Sequence, residues 1–499
     1  MRRKRREITR PDGASVLDFA FPPWSRRAAG TARPRPDWLT PAVIIGFVRL
    51  ADVGVVVAAG LAARAMAGGS GVDGLRAALL ALAILLTLNG FQLAGLYAFD
   101  RITARDHQLT RAALVWSLVA MALVSLGYAT ASLGAIPRSE AGTFYLLGLL
   151  GLGSVRLAAG FWVTHLKRTG RLVCNLVVVG AGEHGQRLVR HLREAGEGIR
   201  LIGLFDDRRD RVPDYVAGYP VLGTVDDLVA FVRRHPVDQV VVALPWGAET
   251  RLRGWLEKLA ELPVDVRLCP DLAGHYVQQR GVSHVAGVPL VHVFDRPLAG
   301  WNALVKLIED RLLAALAILV TGPLMLAIAL AVKATSKGPV FYRQIRYGFA
   351  NEPIGVLKFR TMYAEHCDDG VHGAVPQVRA DDPRITPLGR VLRRFSLDEL
   401  PQFFNVLRGE MSIVGPRPHA VAHNELYAEL LGGYLARHRV RPGITGWAQV
   451  NGLRGEIRDL ETLRRRVQYD LYYIENWSLL FDLRIIFRTL LVGFYAPRG

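Results

Sequence analysis

The chain has 499 residues, of which 51% are apolar, and it carries a formal net charge of +18. It is longer than one soluble domain and too apolar for a wholly soluble protein, so we expect a membrane protein with several domains. The positive charge does not indicate a nucleic-acid partner, because it lies beside apolar segments and no finger, winged or base-stacking motif accompanies it. The three cysteines, Cys174, Cys269 and Cys367, are too widely spaced to predict a disulfide framework or a zinc site.

The N-terminal part of the chain predicts a basic tail followed by a membrane unit. Residues 1–40 are rich in arginine and proline and are expected to form a flexible tail. Four apolar stretches follow, each long enough to cross a hydrocarbon layer of about 30 Å. The predicted spans are 42–66, 75–99, 109–133 and 141–166. We therefore expect a four-helix transmembrane domain over residues 41–168.

The charges of the connecting loops predict the orientation of this unit. Basic residues lie between the second and third spans and after the fourth, whereas the first connection has none. Because cytoplasmic loops carry such an excess, both ends of the unit are expected in the cytoplasm. Charged residues within or near the ends of the spans, such as Asp52 and Arg156, are better explained by snorkelling or by pairing inside the bundle than by a transport path. The basic residues of the two cytoplasmic segments are Arg101, Arg105, Arg111, Lys167, Arg168 and Arg171.

Residues 172–300 have the pattern of a Rossmann-like α/β domain. An apolar run, Leu-Val-Val-Val, leads into Gly180, Gly182 and Gly185, which have the Gly-x-Gly-x-x-Gly spacing of a nucleotide-binding loop. A later apolar run at 237–244 predicts a further strand. The glycine spacing is a weak signal by itself, and no Tyr-x-x-x-Lys pair for proton transfer follows it in this domain. We therefore expect a structural or regulatory domain rather than a catalytic one.

A further apolar run, 312–332, contains Pro323 near its middle. Proline removes one helical hydrogen bond and can kink a helix by a large angle. Basic residues at both ends of the run are expected at the same anionic membrane surface. We therefore predict a re-entrant helix over about 308–334, broken at Pro323, that enters and leaves the membrane on one face. The alternative is an ordinary proline-kinked span.

The last third of the chain carries basic residues on strand-like segments and turns. Lys358 and Arg360 lie in Leu-Lys-Phe-Arg-Thr-Met, after a similar segment that contains Arg343. Arg417 and Arg441 lie in Gly-Pro-Arg-Pro and Arg-Pro-Gly-Ile-Thr-Gly, whose turns hold side chains more rigidly than mobile helix faces do. Because ammonium and guanidinium groups suit phosphate oxygens, these residues are candidates for phosphate binding.

Two adjacent carboxylates, Asp398 and Glu399, lie among these basic residues. Ser396 precedes Glu399 by the spacing of a capping box, whereas Pro401 suits the first position of a helix. In either case we expect both acids at a helix N-terminus, which favours ionised carboxylates. Neighbouring helical residues point about 100° apart, so we expect different roles. Asp398 is the candidate nucleophile towards phosphorus, and Glu399 is the candidate ligand of Mg²⁺, with Asp398 beside it.

The last 199 residues, 301–499, are therefore expected to form one mostly α catalytic domain, and 301–494 resemble the bacterial sugar transferase family, the monotopic polyprenyl-phosphate hexose-1-phosphate transferases. Six segments carry the resemblance in order: 336–339 (Ser-Lys-Gly-Pro), 358–362 (Lys-Phe-Arg-Thr-Met), 396–402 (Ser-Leu-Asp-Glu-Leu-Pro-Gln), 405–412 (Asn-Val-Leu-Arg-Gly-Glu-Met-Ser), 415–418 (Gly-Pro-Arg-Pro) and 441–446 (Arg-Pro-Gly-Ile-Thr-Gly). The membrane unit and the Rossmann-like domain resemble the corresponding parts of the large members of that family.

The resemblance implies transfer of a hexose 1-phosphate from a UDP-sugar to a polyprenyl phosphate such as undecaprenyl phosphate, with release of UMP. It makes Asp398 the covalent nucleophile, ties Glu399 to Mg²⁺ and implicates Arg393 in phosphate binding. By family frequency, glucose 1-phosphate is the first expectation and galactose 1-phosphate the second, since no residue identifies the sugar. The implied role is the first step of exopolysaccharide, capsule or O-antigen assembly, on the cytoplasmic face of the bacterial inner membrane.

The expected partners are a UDP-sugar, undecaprenyl phosphate and the membrane, without nucleic acid. A homodimer is left open, because no residue decides the oligomeric state. A different interpretation is a membrane-tethered, nucleotide-binding regulator or scaffold without catalysis. Release of UMP by the purified protein would separate the two interpretations.

Overall fold

The structure is a computed structural model that describes residues 36–495 except 70, 72, 131–135, 195–197, 209–211, 245–248, 270–281, 286–287, 364–381, 454, 456 and 458. Most of the predicted basic tail, residues 1–35, and Cys367 lie outside the described residues. Five helices in the described part are long and apolar enough to cross a membrane. The expectation of a membrane protein is therefore confirmed.

Four apolar helices come first: α1 (Pro41–Met66), α2 (Gly74–Leu93), α3 (Arg105–Ala129) and α4 (Arg138–Arg168). Polar caps fix two of their starts, because Thr40 accepts a hydrogen bond from the Val43 amide and Asp73 accepts one from the Arg76 amide. Helix α2 ends earlier than the predicted 99, since Gly95 takes a φ of 71° and a 3-10 turn follows.

A buried ion pair lies inside this bundle. Asp52 of α1 and Arg156 of α4 are both buried, and the Arg156 guanidinium donates to the Asp52 carboxylate. The Tyr97 hydroxyl donates to the same carboxylate at 2.8 Å, and the guanidinium stacks over the Phe91 ring at 4.7 Å. The prediction that charges within the spans pair inside the bundle is confirmed for these two residues.

An α/β domain built on an eight-stranded sheet follows. Its strands and helices are β1 (Cys174–Val179), α5 (Glu183–Glu194), β2 (Ile199–Phe205), β3 (Tyr215–Val216), β4 (Tyr219–Gly223), α6 (Val225–Arg234), β5 (Gln239–Val242), α7 (Glu249–Leu259), β6 (Asp265–Leu268), β7 (Val282–Val285) and β8 (Val288–Phe294). The strand order in the sheet is β3-β4-β2-β1-β5-β6-β8-β7. Strand β1 pairs in parallel with β2 and β5, whereas β8 is antiparallel to β6. Buried valines, leucines and phenylalanines fill the core between the sheet and its helices.

The fifth apolar helix, α8 (Gly300–Thr335), continues through Pro323, so the predicted break of the helix at this residue is wrong. The proline removes one helical hydrogen bond, but the turns on both sides of it remain helical. Because Thr321 donates its hydroxyl to the Ala317 carbonyl at 2.7 Å, a side chain adds a hydrogen bond just before the proline. The elements after α8 are the hairpin β9 (Phe341–Tyr347) and β10 (Pro353–Phe359), then α9 (Pro387–Arg394), α10 (Gln402–Arg408), β11 (Ser412–Val414), α11 (Val421–Leu430), β12 (Gly443–Thr445), α12 (Trp447–Val450), α13 (Leu460–Glu475) and α14 (Leu479–Tyr495).

The domain after α8 packs along that helix. Near its start, Asp310 accepts hydrogen bonds from the Ser412 hydroxyl and the Ile413 amide, both at 2.9 Å. Nearer its end, Val332 lies in one apolar cluster with Phe359 and Leu392. The first residues of α8 also meet the membrane bundle, since the Trp301 and Phe47 ring centroids are 5.8 Å apart and those of Phe47 and Trp162 are 6.5 Å apart.

Candidate active site

The two acidic residues lie in a buried turn between α9 and α10. Ser396 takes a left-handed conformation, with φ 56°, and turns the chain into a 3-10 turn over Leu397–Glu399. Asp398 and Glu399 are each only 7% exposed. Ser396 makes no side-chain capping hydrogen bond to this turn, so the capping-box interpretation is wrong here. Helix α10 starts at Gln402 with Pro401 as its N-cap, so the acids precede this helix instead of occupying its first turn.

Two of the predicted phosphate-binding cations contact Glu399. The Arg417 guanidinium lies 2.6 Å from Glu399 Oε1 and donates to Oε2 at 3.4 Å. Lys358 Nζ lies 3.4 Å from Oε1. The negative charge of Glu399 is the main cause that raises the pKa of Arg417, and Asp398 adds to it. Burial lowers the pKa of Lys358, although Glu399 opposes that effect. Both cations therefore contact Glu399 and also feel the charge of Asp398.

A third cation, Arg346, was not among the predicted site residues. Burial, together with the nearby charge of Arg417, lowers its pKa to about 10. Its guanidinium donates to the Pro418 carbonyl at 2.5 Å and to the Gln344 side chain at 2.8 Å. In the β9–β10 hairpin, Tyr342 pairs with Lys358 and Ile354 with Arg346, so Arg346 and Lys358 lie on one face.

The hairpin register also places Arg343, the residue that the sequence suggested in this strand. Arg343 pairs with Leu357 and therefore belongs to the opposite face of the hairpin from Lys358. The signal that could have identified Arg346 is its separation from Lys358 by an even number of positions, which places two residues of paired strands on the same face. This separation becomes informative only when the pairing of the two strands is known.

The remaining predicted cations make other contacts. Arg360 donates to the carbonyls of Ser336 at 2.8 Å and Lys337 at 2.5 Å, and so fastens the end of α8 to the hairpin. Arg393 Nε donates to the Thr361 hydroxyl at 2.8 Å. Arg441 lines a cavity of about 500 Å³ with the N-terminal part of α8. The structure thus brings Lys358 and Arg417 to Glu399, and places Arg360 and Arg441 at the contact with α8.

A buried polar network holds the Arg417 loop from behind. Arg437 donates to Asp470 at 2.7 Å and to the Arg417 carbonyl at 2.8 Å. Its guanidinium also donates to His419 Nδ1 at 2.9 Å. Burial raises the pKa of Asp470, and the adjacent Arg437 opposes that rise. Asp470 is the ion-pair partner of Arg437.

The acidic turn offers two adjacent carboxylates to a divalent cation. The described residues contain no group of three or more His, Cys, Asp or Glu side chains that could hold a metal ion. The adjacent carboxylates Asp398 and Glu399 nevertheless fit a magnesium site in which one or two carboxylates are completed by substrate phosphates. Since Arg417 and Lys358 already contact Glu399 Oε1, such a site would share this carboxylate with the cations.

Comparison with known proteins identifies the family. Residues 301–496 match the bacterial sugar transferase family, and residues 92–270 match a CoA-binding domain. A relative from Xanthomonas campestris pv. campestris, named UDP-glucose:undecaprenyl-phosphate glucose-1-phosphate transferase, is 40% identical over 358 residues, which cover 71% of this chain and 73% of that protein. The chain belongs to the bacterial sugar transferase family. The predicted family is therefore confirmed.

Two further relatives of this sugar transferase show different donor names. A protein of Escherichia coli (strain K12), also named UDP-glucose:undecaprenyl-phosphate glucose-1-phosphate transferase, is 42% identical over 356 residues, covering 70% of this chain and 74% of its own. The UDP-N-acetylgalactosamine-undecaprenyl-phosphate N-acetylgalactosaminephosphotransferase of Aeromonas hydrophila is 42% identical over 230 residues, covering 44% of this chain and 53% of its own.

The glycine loop of the sugar transferase lies after β1, as the spacing predicted, and its backbone makes close contacts within the protein itself. A Cβ on Gly180 would lie 2.5 Å from the Ala243 carbonyl oxygen, and one on Gly185 would lie 1.9 Å from the Gly180 carbonyl oxygen. The buried Asp206, at the end of β2, accepts a hydrogen bond from the Ala181 amide at 2.9 Å. Gly182 lies beside the Arg208 guanidinium, which also pairs with Asp206. Asp206 therefore stabilises this loop internally.

Proposed function

We propose that this sugar transferase moves glucose 1-phosphate from UDP-glucose to undecaprenyl phosphate and releases UMP. The names of its relatives, at about 40% identity over most of the chain, support the substrates. The observation that carries the chemistry is the buried acidic turn, in which Lys358 and Arg417 contact Glu399 next to Asp398. The product, undecaprenyl diphosphate glucose, would begin an exopolysaccharide, capsule or O-antigen repeat.

The proposed reaction has two displacements at one phosphorus. A carboxylate oxygen of Asp398 attacks the phosphorus that bears glucose, and the bond from that phosphorus to the bridging oxygen breaks, so UMP leaves with the electron pair. A phosphate oxygen of undecaprenyl phosphate then attacks the same phosphorus, and the bond to Asp398 breaks to restore the carboxylate. A covalent intermediate of this kind lets a water-soluble donor leave before the lipid acceptor enters the same site.

The cations supply the electrostatic part of the proposal. Phosphoryl transfer depends mainly on neutralising and aligning the phosphate oxygens, and Lys358, Arg417 and Arg346 are fixed around the acidic turn for that purpose. We also propose that Glu399, with Asp398 beside it, holds Mg²⁺. When bound, the ion would neutralise charge on the donor diphosphate.

The nucleophile assignment is tested with purified full-length protein in detergent. UDP-glucose and undecaprenyl phosphate should give UMP with the wild type, and Asp398→Asn should abolish this release. The matched control is Asp226→Asn, at an exposed side chain in the α/β domain, which should retain it. With donor alone, intact-protein mass spectrometry should find a hexose-phosphate adduct on the wild type only. UMP release by Asp398→Asn at the wild-type rate would refute the assignment.

The sugar is tested with a donor panel. Galactose 1-phosphate is the alternative that the sequence leaves open, and one relative is named for N-acetylgalactosamine. UMP release should be fastest with UDP-glucose, compared with UDP-galactose and UDP-N-acetylgalactosamine under the same acceptor concentration. A higher kcat/KM for either competitor would change the donor and leave the transfer chemistry in place.

We further propose that α8 is re-entrant and that the catalytic domain lies on the cytoplasmic face of the inner membrane. Asp310 and Val332 are separated by about 33 Å along a straight helix, which is close to the thickness of the hydrocarbon layer. Yet Asp310 binds Ile413, and Val332 packs with Leu392, within one domain. If α8 crossed the membrane, the elements at its two ends would have to lie on opposite sides.

The catalytic domain does not divide into parts that could lie on opposite sides of the membrane, because the Asn405 side chain links α10 to β10. Asn405 of α10 accepts from the Leu357 amide at 3.0 Å and donates to the Gly355 carbonyl at 2.8 Å. The α8 side chains that face away from the domain are apolar and exposed, as a membrane contact requires. They include Leu312, Leu316, Leu319, Val320, Leu324 and Leu330.

Cysteine labelling tests the re-entrant topology. After the three native cysteines are replaced, Lys337→Cys places a thiol at an exposed position just after α8. A membrane-impermeant maleimide added to intact cells should not label this position but should label Ser139→Cys, at the predicted outer end of α4. Labelling of Lys337→Cys from outside would establish a true span and refute re-entry.

The same proposal assigns roles to the two N-terminal domains. The first four helices would form the four-helix transmembrane domain, with the start of α1 and the end of α4, which lie near Trp301, on the cytoplasmic side. The parallel strands β4, β2, β1, β5 and β6 would form a Rossmann-like domain. Since Asp206 holds its glycine loop, this domain is proposed to be structural or regulatory.

A further inference from the structure

The membrane bundle contains a cavity at the end away from the catalytic domain. Its volume is about 600 Å³, within the range of small-molecule sites. All four helices contribute, through the last turn of α1, the first turns of α2 and α4, and the last third of α3. The apolar residues that line this bundle cavity include Leu79, Leu80, Leu123, Val124, Phe144 and Tyr145.

Charged side chains lie at one side of the bundle cavity. Arg76 donates to Glu140 Oε1 at 2.8 Å and to Oε2 at 3.0 Å, while Arg64 Nη1 lies 3.6 Å from the same carboxylate. Arg138 also lines the cavity. Three guanidinium groups and one carboxylate therefore line the cavity. When the exposed Asp73, which binds Arg76, is included, the group still has a net positive charge.

Arg64 is the cation with unused hydrogen-bonding capacity. Its Nε atom is buried and makes no hydrogen bond within the described part of the chain. The guanidinium packs against Gly69, since a Cβ there would lie 1.9 Å from the Arg64 Cζ atom. Excess positive charge at the end of a membrane bundle is costly unless water or an anion compensates for it. Guanidinium groups bind phosphate oxygens in the planar, two-point geometry that fits this need.

We propose that the bundle cavity binds a membrane lipid through its phosphate. Arg64 and Arg138 would bind the phosphate oxygens, with Arg76 held beside them by Glu140, and the hydrocarbon chain would lie along Leu80, Leu123 and Phe144. This site lies at the opposite end of the bundle from Trp301, so it is separate from the acceptor site of the proposed reaction.

Native mass spectrometry of the full-length protein in detergent tests the proposal. The probes are phosphatidylglycerol, undecaprenyl phosphate, diacylglycerol, which lacks phosphate, and inorganic phosphate. Arg64→Gln should reduce retention of the bound phospholipid about tenfold, which corresponds to about 1.4 kcal/mol. Ala120→Phe, which fills the cavity without changing its charge, should reduce it similarly. UMP release should stay at the wild-type rate in both variants, which also shows that they are folded.

Two matched controls make the outcomes decisive. Arg49→Gln removes an exposed arginine from the other half of α1, and Ala122→Phe adds the same ring to the exposed face of α3. Neither should change lipid retention. Wild-type retention of phospholipid in both Arg64→Gln and Ala120→Phe, or binding of diacylglycerol as strong as that of phosphatidylglycerol, would overturn the proposal. Displacement of the lipid by inorganic phosphate alone would also overturn the proposal and would indicate a site for free phosphate. Stronger binding of phosphatidylglycerol or of undecaprenyl phosphate would support the proposal and identify the class of lipid.

Discussion

Replacing Glu399 by glutamine should destabilise the catalytic domain through the cations that it leaves behind. In the wild type, Arg346, Lys358 and Arg417 surround two carboxylates. The substitution removes one negative charge and keeps the side-chain volume. Because Lys358 and Arg417 retain 16% and 22% of their side-chain exposure, solvent partly screens the loss. We therefore expect a cost of about 2–3 kcal/mol, below the ~3–5 kcal/mol of a fully buried broken pair.

The cost should appear as a lower apparent unfolding temperature. For a domain of this size, ~1 kcal/mol corresponds to about 2–4 °C, so we expect a decrease of about 5–10 °C. The measurement is tryptophan fluorescence during heating of the purified protein, with both variants scanned at the same rate. Glu425→Gln, at an exposed residue of α11, is the control and should shift the transition by less than about 2 °C.

Inorganic phosphate distinguishes the charge argument from a general packing defect. An anion that binds the uncompensated cations stabilises the folded state, by about 1.4 kcal/mol when its concentration is ten times its Kd. Added phosphate should therefore raise the unfolding temperature of Glu399→Gln more than that of the wild type. An unchanged unfolding temperature, or equal phosphate shifts in both proteins, would refute the reasoning.

Three further predictions concern residues around the site and in the bundle. Burial and the charges of Arg437 and Arg466 hold the pKa of His419 well below 6.5. Because only the unfolded chain then takes up this proton, the free energy of unfolding should fall by about 2 kcal/mol between pH 7 and pH 5. In thermal scans at the two pH values, His419→Gln should reduce this loss, whereas His423→Gln should not. In Arg437→Lys, the lysine lacks the two-point geometry that binds both Asp470 and the Arg417 carbonyl, so the loop that carries Arg417 should be held less firmly. UMP titration should then show about tenfold weaker binding. Arg465→Lys is the control and should leave the affinity for UMP unchanged. Asp52→Asn leaves Arg156 buried without its counter-charge and should lower the unfolding temperature, whereas adding Arg156→Gln should recover part of the loss; purely additive effects would contradict the pairing.

The sequence predicted the membrane character and the catalytic family because these depend on long apolar runs and several ordered motifs. It also predicted the kind of residue that contacts Glu399, since the motifs indicate Lys358 and Arg417 as phosphate-binding cations. It did not predict which of the candidate cations contact Glu399. Arg346 was missed because its face of the hairpin depends on the register between β9 and β10, which a single strand does not determine.

The turn at Ser396 shows a second limit of sequence reasoning. The spacing to Glu399 matched a capping box, but Ser396 adopts a left-handed conformation and the acids lie in a 3-10 turn before α10. Arg360 shows a third limit, because a cation of the right type for phosphate instead binds the Ser336 and Lys337 carbonyls. Local patterns indicated the chemistry of these side chains, whereas long-range packing decided their partners.

The acidic turn packs directly against α8. Met325 and Ile328 of α8 pack in the same cluster as Leu397 and Leu400, which flank Asp398 and Glu399. The turn that carries both acids is therefore built directly on the apolar helix, without an intervening layer. If α8 is re-entrant, as proposed, this packing keeps Asp398 close to the headgroup level, where the acceptor phosphate is confined. Substituting Leu397 by alanine should then weaken use of undecaprenyl phosphate more than formation of the hexose-phosphate adduct from UDP-glucose, and an equal loss in both steps would argue against this coupling.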